Sequence, residues 1–389
     1  MKENVNSYWF TIEPYVFIGL TDQCALLYNT LDGVTIESDK IEVINLLSET
    51  IQEENCGVVL LTKDMYLNEN INSFIVELRK KYMGDIIDVT LSKGKPVQLM
   101  PLYNFSVVEK LDLYKRHSFS SDRNILKHLI EINIHINSEI NTAQLVSFLK
   151  SISGVPILNI IGNIKEIENY NELLIYLDSI SSVKNIICSY KHLIDFKTDI
   201  LNNMKYTILV SFPISEQKWN GLMMVILNQN LPIEYVFEVS SVEDFQKAKM
   251  LVEKYHIEKY EFSPIYTGEN ISFFEENVFL SKDDILSTTL TIKDFFSHQA
   301  INLHDFGKIN ILPNGDVYAN LNHPLLGNIY SENIYDIVYK EINNGKSWFN
   351  IRNHSPCDKC VYQWFCPSPS NYEIILGRSN LCHIKNNKK

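Results

Sequence analysis

Four cysteines, Cys357, Cys360, Cys366 and Cys382, close the chain in the pattern C-x2-C-x5-C-x15-C. The other three of the seven, Cys24, Cys56 and Cys188, stand singly in everything that precedes them. Thiols gathered in one short stretch point to metal chemistry, because the thiolate is a soft and strong ligand. Four thiolates complete a tetrahedral zinc site, or supply one ligand to each iron of a [4Fe-4S] cube. The C-x2-C spacing occurs in both, so spacing alone leaves zinc and iron open.

The rest of the composition restricts what such a site can serve. A chain of 389 residues has room for two or three domains with substantial cores. Hydrophobic residues make up 45% and charged residues 21%, which is ordinary for a globular protein. The formal charge of −12 disfavours a nucleic acid partner. No apolar run reaches the roughly 18 residues of a membrane helix, so no membrane partner is expected. The opening MKENVNSYWFTIEPYVF lacks the apolar stretch of a signal peptide. A cytoplasmic location follows as the expectation, and there a cysteine cluster reads as metal-binding before disulfide.

Three regions must position the cysteines. In residues 1–105, two β-rich runs, Trp9 to Leu20 and Ala25 to Ile36, flank the polar break Thr21-Asp22-Gln23, and Asp32-Gly33 marks a further turn. A helix is expected from Lys40 to Ile51 with Ser38 as N-cap, then a strand from Gly57 to Leu61. A second helix runs from Ile71 to Tyr82 and is stopped by Gly84. Together these form a small α+β module. A linker covers 106–127.

Residues 128–299 alternate strands and helices. The strands read as Glu131–Asn137, Pro156–Gly162, Val183–Tyr190, Tyr206–Pro213, Ile233–Ser240 and Lys259–Thr267. Helices of ten to fifteen residues between strands indicate βαβ units and a parallel sheet, here a six-unit α/β partial barrel or an open sheet. Any site is expected at the C-terminal ends of the strands. Ser240-Ser241-Val242-Glu243 fits a capping box. Residues 300–389 open with a hairpin around Pro313-Asn314-Gly315-Asp316 and a short helix from Ile334, before the cysteines. Trp364 and Phe365 are expected to shield a metal centre, and Pro367 and Pro369 to fix the loop behind it. Cys24, Cys56 and Cys188 read as small buried hydrophobes.

The run Gly307-x-Ile-x-Ile-x-Pro-Asn-Gly-Asp-Val-Tyr318, the following Leu326-Gly-Asn-Ile329 and the cysteine pattern resemble the SPASM extension of radical SAM peptide-modifying enzymes. The resemblance covers roughly residues 300–385. It implies that Cys357, Cys360, Cys366 and Cys382 ligate one auxiliary [4Fe-4S] cluster. A second auxiliary cluster would need thiolates at the positions here held by His304, Asn320 and Ser370, and none is a cysteine. The resemblance further implies that residues 128–299 are a radical SAM-like partial barrel. Its Cys-x3-Cys-x2-Cys signature would follow the first strand, where the chain reads Ile134-His-Ile-Asn-Ser-Glu-Ile-Asn141 without a cysteine. No SAM-binding cluster is therefore expected, and the barrel reads as degenerate. Ile161-Gly162-Asn163-Ile164 stands where a SAM-contacting Gly-Gly-Glu-Pro-like segment would be.

This combination is similar to the SPASM-domain peptide maturases of grasp-with-spasm systems, which act with an ATP-grasp ligase on a ribosomal precursor peptide. Residues 1–105 resemble the leader-peptide recognition modules of such pathways, which implies an open strand edge beside a helix. The implied function is a maturation factor that binds the precursor peptide and acts with the ligase. Two alternatives are a redox enzyme passing electrons from the tail cluster to a peptide, and a zinc-stabilised binding module without catalysis. His135 is the barrel histidine nearest an expected substrate.

Overall fold

The computed structural model describes residues 7–100, 125–152, 154–192, 204–229 and 233–384. Most of the linker expected over 106–127 lies outside them.

Near the start, the run expected as one strand divides into β1 (Tyr8–Ile12) and β2 (Val16–Leu20). Pro14 has no N–H for a ladder, and the Val16 N–H turns back to the Glu13 carbonyl at 3.0 Å. Strand β2 continues into an antiparallel meander with β3 (Ala25–Asn29) and β4 (Thr35–Ser38). Strand β1 instead becomes the centre of a second sheet, between β5 (Val58–Leu61) and β6 (Gly84–Asp88). Helices α1 (Ile41–Thr50), α2 (Lys63–Leu67) and α3 (Glu69–Lys80) belong to the same region. The two sheets share a core with α1 and α3 that includes Phe10, Leu27, Leu47, Phe74 and Leu78.

Two local expectations change. Lys40, not Ser38, is the N-cap of α1; Ser38 Oγ accepts the Lys40 N–H at 3.3 Å. Gly84 does not stop α3, which is capped at Lys81. It begins β6 instead, because a Cβ there would lie 2.4 Å from the Thr11 carbonyl oxygen on the neighbouring strand.

All six strands expected in the middle of the chain form, as β7 (Glu131–Ile136), β8 (Ile157–Gly162), β9 (Val183–Ser189), β10 (Lys205–Ser211), β11 (Ile233–Val239) and β12 (Tyr260–Pro264). They lie side by side in sequence order and all parallel. Strand β13 (Lys308–Ile311) adds in parallel beside β7, and β14 (Asp316–Tyr318) and β15 (Gly327–Asn328) follow antiparallel, giving nine strands. Helices α4 (Thr142–Lys150), α5 (Tyr170–Ser179), α6 (Glu216–Gln229) and α7 (Val242–Tyr255) connect its strands. The cap of α7 is Ser241, one residue beyond the expected pattern, and it accepts the Asp244 N–H at 3.1 Å.

Period-two alternation gives this sheet two unlike faces. Ile132, Ile134, Ile160, Ile186, Ile208 and Phe237 are buried in one core with Leu145, Leu149, Leu173 and Leu222 of the helices. The opposite face carries a polar row instead. Asn159 Nδ2 donates to Asn133 Oδ1 at 2.8 Å and to Glu131 Oε1 at 3.0 Å, and Asn185 Nδ2 donates to Thr207 Oγ1 at 3.1 Å.

The last region contributes α8 (Ile271–Asn277), α9 (Lys282–Leu286), α10 (Ile292–Ala300), α11 (Ile334–Asn344) and α12 (Asn371–Leu376). An aromatic cluster joins it to the first region. Phe17 of β2 stacks on Phe295 of α10 with centroids 3.9 Å apart, and Phe365, from the cysteine segment, meets Phe17, Tyr28 and Phe295 edge-on. Tyr28 Oη accepts the Leu290 N–H at 2.8 Å, and Glu37 takes both Lys282 (2.7 Å) and the Tyr362 hydroxyl (3.2 Å). Gly19 permits the approach, since a Cβ would sit 2.6 Å from the Val361 carbonyl oxygen.

Phe295 is fully buried at the centre of this joint. Phe295→Ala is expected to cost about 3–5 kcal/mol of stability by the usual scale of aromatic truncation in cores. Chemical denaturation of the full chain measures it, and a loss below about 1 kcal/mol would show that the joint contributes little to folding.

Candidate functional site

The cysteine segment has few regular elements, and side-chain hydrogen bonds hold it in place. Cys357 opens a single 3₁₀ turn, Cys357–Lys359, and Cys360 ends it, its N–H bonded to the Cys357 carbonyl at 3.0 Å. The next turn brings the Cys366 N–H to the Tyr362 carbonyl at 3.2 Å. Cys382 arrives from the far end through a bridge to Leu280, where the His383 N–H donates to the Leu280 carbonyl at 2.9 Å. All four cysteines thus line one cavity of about 20 Å³, shared with Arg352, Gln363 and Asn380. That gap exceeds what one water-sized sphere needs, whereas a packed core would close it.

Among the described residues, no three or more His, Cys, Asp or Glu side chains are arranged to hold a metal ion. The four thiols line the cavity. Burial pushes the Cys366 thiol up to about 12, with Arg352 opposing and the other thiols adding to the rise. Burial likewise raises Cys357 and Cys360. These thiols are neutral at pH 7 until a cation offsets the cost of their charge.

One buried cation already stands there, and the sequence reading missed it. Arg352, 7% exposed, places Nη1 2.8 Å from Glu373 Oε1 and 3.8 Å from Cys357 Sγ. Burial opposes its charge, yet Glu373 and the nearby thiols hold its pKa above the ordinary value. Its Nε donates to the Pro367 carbonyl, and its own carbonyl accepts Gln363 Nε2. Asn380 Nδ2 donates to Cys382 Sγ at 3.0 Å. An isolated arginine in sequence carries no sign of this role; its partners lie 5 to 21 residues further along the same segment.

Phe365 packs on the aromatic joint, with Trp364, Cys360 and Cys366 half-buried against the same cluster; the expected shielding rings Trp364 and Phe365 are not among the residues lining the cavity. Cys188 is buried in the sheet as expected, its thiol pushed up to about 12 by burial. Cys24 and Cys56 differ from expectation. Both are half-buried in connections, Cys24 just before β3 and Cys56 in a left-handed turn before β5.

His304, Asn320 and Ser370 come together, although none is a thiol. Asn320 Nδ2 donates to Asp305 Oδ2 at 2.8 Å and to Asn371 Oδ1 at 2.6 Å, linking the neighbours of the other two. Ser370 is the N-cap of α12 in a capping box with Glu373. The His304 N–H donates to Asn302 Oδ1 at 2.8 Å, and burial holds its imidazole below the usual pKa. Burial raises Asp305, opposed by the Asn320 hydrogen bond. His135 lies on the polar face of the sheet beside Asn310; burial lowers its pKa, and Nε2 is buried without a partner among the described residues.

A second cavity, of about 550 Å³, lies beside β6 and α3. Tyr15, Ile75, Val76, Arg79, Tyr82 and Ile86 are among its lining residues, and Val76 and Tyr82 are exposed. Strand β6 pairs only with β1, so among the described residues no strand covers its other edge.

No family model matches the chain, and no curated protein matches it. Among solved structures the chain is similar to E. coli MccB. With selenomethionine MccA, that structure is 13% identical, covers 68% of this chain and 85% of its own, and has a TM-score of 0.18. The succinimide form is also 13% identical, with coverage of 68% and 84% and a TM-score of 0.18. The form with AMPCPP and MccA is 12% identical, with 67% and 84% covered and a TM-score of 0.17. At such scores the likeness assigns neither fold nor function.

Metal uptake through neutral thiols must release protons, so affinity rises with pH. Competition against a chromophoric chelator is expected to show metal binding to the metal-free protein tightening as pH rises and still tightening above 9.0, the ordinary thiol value, because burial pushes the Cys366 thiol up to about 12. Cys366→Ser should abolish uptake and Cys188→Ser should preserve it; equal uptake by both variants would place the metal elsewhere.

Proposed function

We propose that this protein is a maturation factor for a ribosomally synthesised precursor peptide, acting with an ATP-grasp ligase and carrying one [4Fe-4S] centre on Cys357, Cys360, Cys366 and Cys382. The observation that carries the reading is the gathering of these four thiols around one cavity, in a chain with no cysteine between Cys56 and Cys188. Four thiolates complete either a zinc site or a [4Fe-4S] cube, and the resemblance of residues 300–385 favours iron. When bound, the cluster supplies an electron-accepting and structure-bearing centre. Arg352 would set its charge environment. With no cysteine between Cys56 and Cys188, the loop after β7 supplies no thiolate for a SAM-cleaving cluster.

The β6 edge that no described strand covers, beside α3, supports the peptide-binding half of this reading. An extended leader added to β6 would gain main-chain hydrogen bonds, and Val76, Tyr82 and Ile86 would receive its apolar side chains. The sheet would then serve as scaffold, as a degenerate radical SAM-like partial barrel. His135 and the asparagine row would face the peptide core.

Fluorescence anisotropy with a labelled precursor, taken from a short reading frame beside the gene, tests the proposal. Micromolar or tighter binding is expected, weakened at least tenfold by Val76→Glu with the melting temperature unchanged. Absence of any complex with precursor or ligase at micromolar concentrations would refute it. Anaerobic purification should give a brown protein with about four irons per chain, as one cube requires; a colourless zinc protein would refute the cluster.

A further inference from the structure

We propose that Arg352 is a built-in counter-charge of the four-cysteine centre, with Glu373 setting its strength; this rests on reading the centre as a metal cluster. A single nitrogen, Nη1, bridges the two charges, 2.8 Å from the Glu373 carboxylate and 3.8 Å from Cys357 Sγ. Both side chains are buried, at 8% and 5% exposure, so solvent screens the pair weakly. The guanidinium cannot swing away. Its Nε is held by the Pro367 carbonyl, next to Cys366, and Gln363, between Cys360 and Cys366, binds the Arg352 carbonyl. The cysteine loop thus fastens the cation, and the cation faces the cysteine loop.

Four thiolates bring four negative charges into a site with little water. A fixed positive charge beside one sulfur lowers the cost of that charge and favours the more negative, reduced state of a cluster. Glu373 attenuates the effect by occupying the same nitrogen, and it is fixed in turn by accepting the Ser370 N–H at 2.6 Å. Arg352 is therefore a positioning and tuning residue, not a ligand.

The arrangement makes a prediction of opposite signs. Arg352→Gln removes the cation and leaves the Glu373 anion, so the reduced state is disfavoured and the midpoint potential falls. Glu373→Gln leaves the cation without its attenuating partner, so the potential rises. Arg352→Lys keeps the charge and should stay near the wild type. A mere structural brace would make Arg352→Gln and Glu373→Gln lose iron alike and shift the potential in the same direction.

The experiment is an anaerobic redox titration of the full chain, followed by visible absorption and electron paramagnetic resonance, with iron and sulfide measured on each variant. Falling potential in Arg352→Gln and rising potential in Glu373→Gln is the expected result. Shifts of one sign in both variants, or no shift in either with the cluster retained, would overturn the proposal. Should Arg352→Gln fail to fold, Glu373→Gln decides alone, and an unraised potential there overturns it. Wild-type protein without iron would instead refute the cluster itself, before any variant is compared.

Discussion

The stack of Phe17 on Phe295, capped edge-on by Phe365, is the contact on which the arrangement of this molecule depends. It ties three stretches of chain that are remote in sequence, the β2–β4 meander, the α10 helix and the cysteine segment. That last stretch has one 3₁₀ turn and one short helix of its own, so it gains little from local structure. Its apolar anchorage comes from rings supplied by others. Burying an aromatic side chain contributes roughly 1.5–3 kcal/mol each, and ring pairs add somewhat more. The Glu37 contacts with Lys282 and Tyr362 then orient the joint more than they strengthen it, being partly exposed.

Behind that joint, charge and polarity do what apolar packing cannot. Arg352 and Glu373 are almost fully buried, and a buried ion pair is tolerated only when its remaining hydrogen bonds are made. They are made here, by the Pro367 carbonyl, the Ser370 N–H and the capping box of α12. Nearby, the buried Asn302, Asp305 and Asn320 make side-chain hydrogen bonds, one of them to the exposed Asn371. The cysteine cavity is thus flanked by a network satisfied without metal, in contrast to the thiols themselves.

How much of this was legible in sequence depended on the range of the signal. The alternation in Glu131–Ile136 and the helical period of Val242–Tyr255 are local, and both elements stand within a residue of where patterning puts them. The hairpin around Asn314-Gly315 is equally local and forms as read. The four cysteines could be selected as one set because their residue type is itself the signal, and the structure gathers them. What stayed hidden was decided by distant partners. Gly84 looked like a helix stop, but the Thr11 backbone requires it as a strand residue. Strand β1 looked continuous with β2, yet its partners are β5 and β6, tens of residues away. Arg352 was not singled out in the sequence, since no local pattern marks its contacts with Cys357 and Glu373.

The same contrast separates two parts of the last region. Unpaired buried polar atoms are costly. At His304, Asn320 and Ser370 the side chains are imidazole, amide and hydroxyl, and the surrounding groups are joined to one another. Cys357, Cys360, Cys366 and Cys382 line a cavity instead. The thiols face a gap, beside a cation whose carboxylate partner does not remove it from the nearest sulfur. Four sulfurs and a guanidinium lining one cavity are the observation on which the proposed sulfur-ligated centre rests.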